Sequence, residues 1–172
     1  MRNIILTLQF DGSGYHGWQW QNNAETVCGK MMDAVRSITK EPAEIIGCSR
    51  TDVGVHALEY VCNFKSNTKI PAENIPIALN TKLPYDIRVT AARDGDDDFH
   101  SRYSAVSKTY IYKVYTSKIA NPFLTRYACH FPYEINFSDI QKAAPHFCGE
   151  HDFSAFMSTG SSQKTTIRTV NY

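Results

Sequence analysis

AEIIGCSRTDVGVHALEYVCNF, residues 43 to 64, decides how the first half of the chain folds. Two runs in it, Ala43 to Cys48 and Leu58 to Phe64, are apolar and rich in strand-forming side chains, and they read as β-strands. SRTDVGVHA joins them and carries the Ser, Asp and Gly of a tight connection. A strand pair of this kind says little alone. What stands on each side of it settles the topology.

Upstream, Asn3 to Phe10 (NIILTLQF) is a further strand, followed by the long Gly- and Asn-rich loop DGSGYHGWQWQNN. Thr26 to Thr39 then places Val27, Met31, Ala34, Val35 and Ile38 at spacings of three and four, which predicts a helix with one apolar face. Thr26 is its expected N-cap, and Pro42 lies just past its end. Downstream, Pro71 to Leu83 reads as a second helix and Asp86 to Arg93 as a fourth strand. The order β-α-β-β-α-β predicts an α+β fold of ferredoxin-like type, with two helices on one sheet face and the other face left for a partner.

The acidic and mixed stretch DGDDDFHSRYSA marks a boundary, giving an N-terminal domain over 1–104 and a second unit over 105–172. In that second unit Lys108 to Thr116 is expected to be a strand. Ser138 should start a helix with Ile140, Ala143, Ala144 and Phe147 facing inward and Gly149 as C-cap, and KTTIRTVNY should form a last strand. Strand, helix and strand make a partial α+β layer that should not stand well alone.

Composition narrows the class. At 172 residues with 42% apolar side chains, the chain has the makings of a packed core. No apolar run approaches the roughly 20 residues that span a bilayer, and MRNIILTLQFDG lacks the features of a signal peptide. A cytoplasmic protein is expected, with no membrane contact. The five cysteines, at 28, 48, 62, 129 and 148, form no CxxC pair and are expected to be buried or half-buried free thiols. A formal net charge of +1 argues against coating nucleic acid by charge alone, though not against a local basic cleft.

Within the 43–64 stretch, Asp52 can serve as a nucleophile, a general base, a metal ligand or a turn residue. Arg50, two positions away, would hold the carboxylate ionised if the two pair, and Gly54 permits a close backbone turn. His146, Cys148, His151 and Asp152 lie close in sequence, yet no ligand spacing on a helix face supports a metal site. His56 and His100 suit hydrogen-bonding roles near the loops. Aromatic and basic residues interleave at Tyr15, His16, Trp18 and Trp20, and again at Arg102, Tyr103, Lys108, Tyr110 and Tyr112. Stacking faces beside positive charge suit flipped or single-stranded bases, whereas alternate tyrosines of a strand equally suit a core. For Tyr112 core packing is expected; for Tyr110 the choice stays open.

Five motifs in order carry a resemblance. FDGSGYHGWQWQ at 10–21, SRTDVGVHA at 49–57, LNTKLPYDIRV at 79–89, FHSRYSAVSKTYIYKVY at 99–115 and GEHDFSAF at 149–156 resemble TruA-type tRNA pseudouridine synthases over nearly the whole chain. The resemblance implies isomerisation of uridine to pseudouridine in the anticodon stem-loop of tRNA, by a homodimer, with no cofactor and no metal. It implies that Asp52 is the catalytic aspartate, acting on the anomeric carbon or through a glycal-type intermediate. Arg50 would pair with it and hold the nucleotide out of the stack. Tyr110 would lie against the uracil, and Arg102, Lys108 and His56 would serve on the RNA side. Ser49 stands where the family usually carries a glycine. The family also continues into further strands and a GxxFLxxMVR-like segment without counterpart here, so residues 1–172 alone are expected to turn over weakly or not at all.

Overall fold

The structure is a computed structural model that describes residues 1–158, 160 and 165–172. The chain divides into two compact units, Met1–Ile111 and Tyr112–Tyr172.

In the first unit, strands β1 (Arg2–Phe10), β2 (Ile46–Gly47), β3 (Ala57–Ser66) and β4 (Ile87–Gly95) form an antiparallel sheet in the order β2-β3-β1-β4. Helices α1 (Val27–Thr39) and α2 (Ile75–Asn80) make the crossovers. The period of two along β1 sends Ile4, Leu6, Leu8 and Phe10 into the core, where Tyr60, Cys62 and Phe64 of β3 and Ile87 and Val89 of β4 meet them. Val27, Met31, Ala34 and Val35 of α1 and Ile75 and Leu79 of α2 close this core from the helix side. Each fully buried aliphatic side chain of this kind contributes about 1.5–3 kcal/mol. Thr26 caps α1 as expected, its side chain accepting from the Gly29 amide.

Two elements are shorter than the sequence suggests. The segment Ala43 to Cys48 pairs with β3 through Ile46 and Gly47, with one further bond from the Cys48 amide to the Val61 carbonyl (2.9 Å), although Ala43 and Ile45 are buried in the core. A strand needs a ladder as well as apolar side chains, and here the ladder runs out. The predicted helix over 71–83 splits into a 3-10 turn at Ala72–Asn74 and the short α2, in keeping with the missing amide hydrogen of Pro76. The Asn80 side chain ends it by bonding the Val89 backbone twice, at 2.9 Å each way.

The sheet face away from the helices holds a buried polar network. Asn63 Nδ2 donates to Asn3 Oδ1 (2.9 Å), and Asn63 Oδ1 accepts from the Ser101 amide (2.9 Å) and hydroxyl (2.7 Å). Asn3 Nδ2 in turn donates to the carbonyls of Asp96 and Phe99. The network fastens the loop after β4 onto the sheet. Asn63→Ala leaves these buried partners unmatched and should cost about 1–3 kcal/mol, read from a chemical denaturation midpoint.

The second unit has a parallel pair, β5 (Val114–Thr116) with β6 (Cys129–Phe131), and an antiparallel pair, β7 (Gly149–Asp152) with β8 (Ile167–Val170). Helix α3 (Phe137–Ala143) lies between them in sequence, capped by Asn136, and continues into a 3-10 turn over Ala144–Phe147. Four expectations need correction. Only Val114–Thr116 of the predicted 108–116 strand is paired; the Lys113 carbonyl accepts from the Cys129 amide (2.8 Å), and no ladder partner reaches residues 108–112 among the described residues. Helix α3 buries none of its residues, so Ile140 and Phe147 do not face a core, and Gly149 opens β7 with φ +97° instead of capping α3. Tyr112 is exposed, not packed. The final strand forms over Ile167–Val170, while Lys164 of the predicted KTTIRTVNY lies outside the described residues.

The thiols also differ from expectation. Cys28 and Cys62 are buried and Cys48 half-buried, but Cys129 and Cys148 are exposed. Burial pushes the Cys28 thiol up to about 11 and the Cys62 thiol well above its ordinary value. A maleimide reagent at neutral pH should therefore label Cys129 and Cys148 quickly and spare Cys28 and Cys62 until the protein is unfolded.

Candidate active site

Asp52 stands exposed in the turn between β2 and β3, and Gly54 takes φ +77°, a left-handed conformation that side chains disfavour. The Val55 amide donates to the Asp52 carbonyl at 3.2 Å, closing the turn. The long loop after β1 grips it from the backbone. Trp18 N donates to Thr51 O (3.3 Å), and Gly54 N donates to Tyr15 O (3.2 Å). Gly17, at φ +78°, lies so near the Thr51 carbonyl that an added Cβ would approach it closer than 3.0 Å. That close approach explains why the loop needs glycine at this position.

A third connection runs through His56. Its Nδ1 lies within hydrogen-bonding distance of the Gly12 amide (3.1 Å). Asp11 Oδ1 stands 3.0 Å from the same nitrogen, an ion pair only when the ring is protonated. The loop is itself anchored at the start of β4. The buried Tyr15 phenol donates to Asp86 Oδ1 (2.7 Å), and Asp11 N donates to Asp86 O (2.8 Å). Burial first, and then the Asp86 bond, hold the Tyr15 phenol far above its ordinary range, so it remains a neutral donor. The carboxylate of Asp52 thus sits on a backbone held from several sides while its own side chain is open to a substrate.

Arg50 is exposed as well, and none of the ion pairs among the described residues joins it to Asp52. Arg102 rests with its guanidinium 5.6 Å from the Tyr103 ring centroid, and His100 stacks on the same ring at 4.3 Å. Its loop is anchored through Ser101 to Asn63, opposite Ile5, whereas Asp52's turn leaves the sheet beyond Ala57, opposite Phe10. Five strand residues separate the two points, about 16 Å at the usual rise. Tyr110 (84% exposed) and Lys108 lie in the segment without regular structure, and no hydrogen bond or ring contact ties Tyr110 to Asp52. The fold brings His56 and Asp52 into one turn with Arg50, and among the described residues no hydrogen bond, ion pair or ring contact joins Arg102, Lys108 or Tyr110 to that turn.

Among the described residues no group of three or more His, Cys, Asp or Glu is placed to hold a metal ion, and no helix is long and apolar enough to cross a membrane.

The family model described as tRNA pseudouridine synthase matches residues 7–104, which include the whole β2–β3 turn and its supporting loop. The chain is 50% identical to tRNA pseudouridine synthase A of a Thermoanaerobacter species over 170 residues, covering 99% of this chain and 70% of that relative. It is 46% identical to tRNA pseudouridine synthase A of Caldicellulosiruptor saccharolyticus over the same length and share. It is also 41% identical to tRNA pseudouridine synthase A 2 of Bacillus anthracis over 171 residues, again 99% of this chain and 70% of the relative. The chain belongs to the tRNA pseudouridine synthase family. It is accordingly an isomerase.

In this enzyme two of the loop aromatics for which base stacking was one reading are core. Tyr15 and Trp18 are each 5% exposed, whereas Trp20 is 53% exposed. A ring in a Gly- and Asn-rich loop can face either way, and here the loop folds back over the end of the sheet. The sequence also hid Tyr60, which lies on the core face of β3 and contacts the turn from below. The one available signal was its period-two placement with Cys62 and Phe64, which marks it as inward-facing and no more.

Proposed function

We propose that the enzyme converts uridine to pseudouridine in the anticodon stem-loop of tRNA, with Asp52 as the catalytic carboxylate. The observation that carries this reading is an exposed carboxylate on a backbone fixed by Trp18, Tyr15 and the close approach of Gly17. The reaction needs the N–C glycosidic bond of a flipped uridine to break and a C–C bond to form to the same ribose carbon. A proton leaves the ring carbon that forms the new bond, and the ring nitrogen released from the sugar gains one. A preorganised carboxylate suits this isomerisation, whether it adds to the anomeric carbon or draws a proton to form a glycal.

Arg50, beside Asp52 in the turn, is assigned to holding the nucleotide out of the stack, and Tyr110 to lying against the uracil. Arg102, Lys108 and His56 are assigned to the RNA side. This reading includes contacts of Tyr110, Lys108 and Arg102 with the target nucleotide or its neighbours, formed as the RNA binds. No metal or cofactor enters the proposed reaction. The strand order and the two crossover helices support a ferredoxin-like split βαβ description of residues 1–104, followed by a second α+β unit over 105–172. A homodimer working in the cytoplasm completes the proposal.

The test is an anticodon stem-loop transcript incubated with the polypeptide that the natural reading frame encodes, scored separately for binding and for pseudouridine. Conversion with and without chelator is the expected result. Binding with no conversion would leave a non-catalytic RNA-binding module in its place, and loss of conversion on chelation would overturn the metal-free reaction.

A further inference from the structure

We infer that Tyr60 is a positioning residue that sets the height of the catalytic turn above the sheet. The inference rests on the assignment of Asp52 as the catalytic carboxylate. Tyr60 belongs to β3, eleven residues beyond Ser49, and is 3% exposed. Its hydroxyl donates to the Ser49 carbonyl, and the Ser49 amide reaches the same oxygen at 3.4 Å. One buried phenol therefore engages the backbone donor and acceptor of the residue that opens the turn, three positions before Asp52.

The ring itself cannot shift easily. Trp18 stacks on it with centroids 4.2 Å apart at 29°, and Phe10 meets its edge at 5.6 Å and 60°. At Gly47, on β2, an added Cβ would collide with the Tyr60 hydroxyl and the Trp18 indole, so strand, ring and hydroxyl are fitted together without slack. Trp18 then donates from its own backbone to Thr51 O. A continuous path thus leads from the core of the sheet, through Phe10, Tyr60 and Trp18, to the residues on either side of Arg50. Burial keeps the Tyr60 phenol neutral, consistent with a donor to the backbone and not a group that exchanges protons with substrate.

Tyr60→Phe removes the hydroxyl and keeps the ring stack, so it separates positioning from packing. Amide hydrogen exchange followed residue by residue should show Ser49, Gly54 and Val55 exchanging about tenfold faster or more, with Leu6 and Leu8 of β1 unchanged. Turnover on the stem-loop should fall about tenfold in kcat with KM unchanged, since the RNA surface is untouched while the carboxylate is less well placed. Tyr60→Leu, which also loses the ring, should lower the melting temperature and loosen β1 together with the turn. If Tyr60→Phe leaves the turn amides as protected as before, or loosens turn and sheet equally, the inference is wrong. An active Asp52→Ala variant would remove the site assignment while leaving the exchange result standing, so the two failures are distinguishable.

Discussion

Asp52→Ala should reduce pseudouridine formation by about a thousandfold or more while leaving the melting temperature and RNA affinity essentially unchanged. The split follows from where the side chain stands. Asp52 is exposed, its carbonyl and not its carboxylate closes the turn, and its side chain takes part in none of the ion pairs of the described residues. Removing such a carboxylate should alter folding stability by no more than about 0.5 kcal/mol. Its loss should therefore be felt almost wholly in chemistry, which is read by comparing single-turnover rates at saturating stem-loop with a thermal melt of the same preparations. A structural turn aspartate would show the reverse pattern, with stability lost and turnover merely scaled by the folded fraction.

Gly17→Ala is the complementary experiment, because it should damage the site without touching any reacting group. Gly17 combines a φ of +78° with a Cα packed against the Thr51 carbonyl, and a Cβ would also come near the backbone of Asp52. The left-handed conformation alone costs an alanine about 1–2 kcal/mol, and the obstacle is backbone, which cannot swing aside as a side-chain tip would. Either the loop or the turn must move. A displacement of about an ångström at a catalytic group costs on the order of a hundredfold in rate, so kcat should fall by about that factor, with a stability loss of about 2 kcal/mol or more. Kinetics and urea denaturation on the same variant check both halves. By contrast, Gly14→Ala in the same loop meets nothing within 4 Å and should be close to silent.

The architecture of the first unit was legible because its signals are local. Alternation in NIILTLQF, the three- and four-residue spacing after Thr26 and the Thr26 cap each depend on neighbours a few residues away. The place of Asp52 in a turn between two strands was legible for the same reason, since the strands and the glycine that frame it are near neighbours in sequence. Its supports were not. Tyr60 reaches Ser49 across the β2–β3 connection, Tyr15 reaches Asp86 over 71 positions, and Asn63 reaches Ser101 over 38, and no periodicity announces such pairs. Trp18 shows the cost of reading composition for direction: an indole beside glycines and asparagines looks like a base platform until its ring is found on Tyr60. In the second unit KTYIYKVYT alternates as a strand should, yet only Val114–Thr116 finds a ladder. Side-chain pattern states what a segment can pair as, and the partner decides whether it does.

On the proposed assignment the carboxylate of Asp52, and not another group, carries the isomerisation. Its most direct measurement is a single-turnover assay on an anticodon stem-loop, at saturating RNA, with Asp52→Asn, which keeps the size and polarity of the side chain but removes its charge. Pseudouridine formation should fall to background while the complex with RNA still forms. Conversion at the wild-type rate by Asp52→Asn would contradict it.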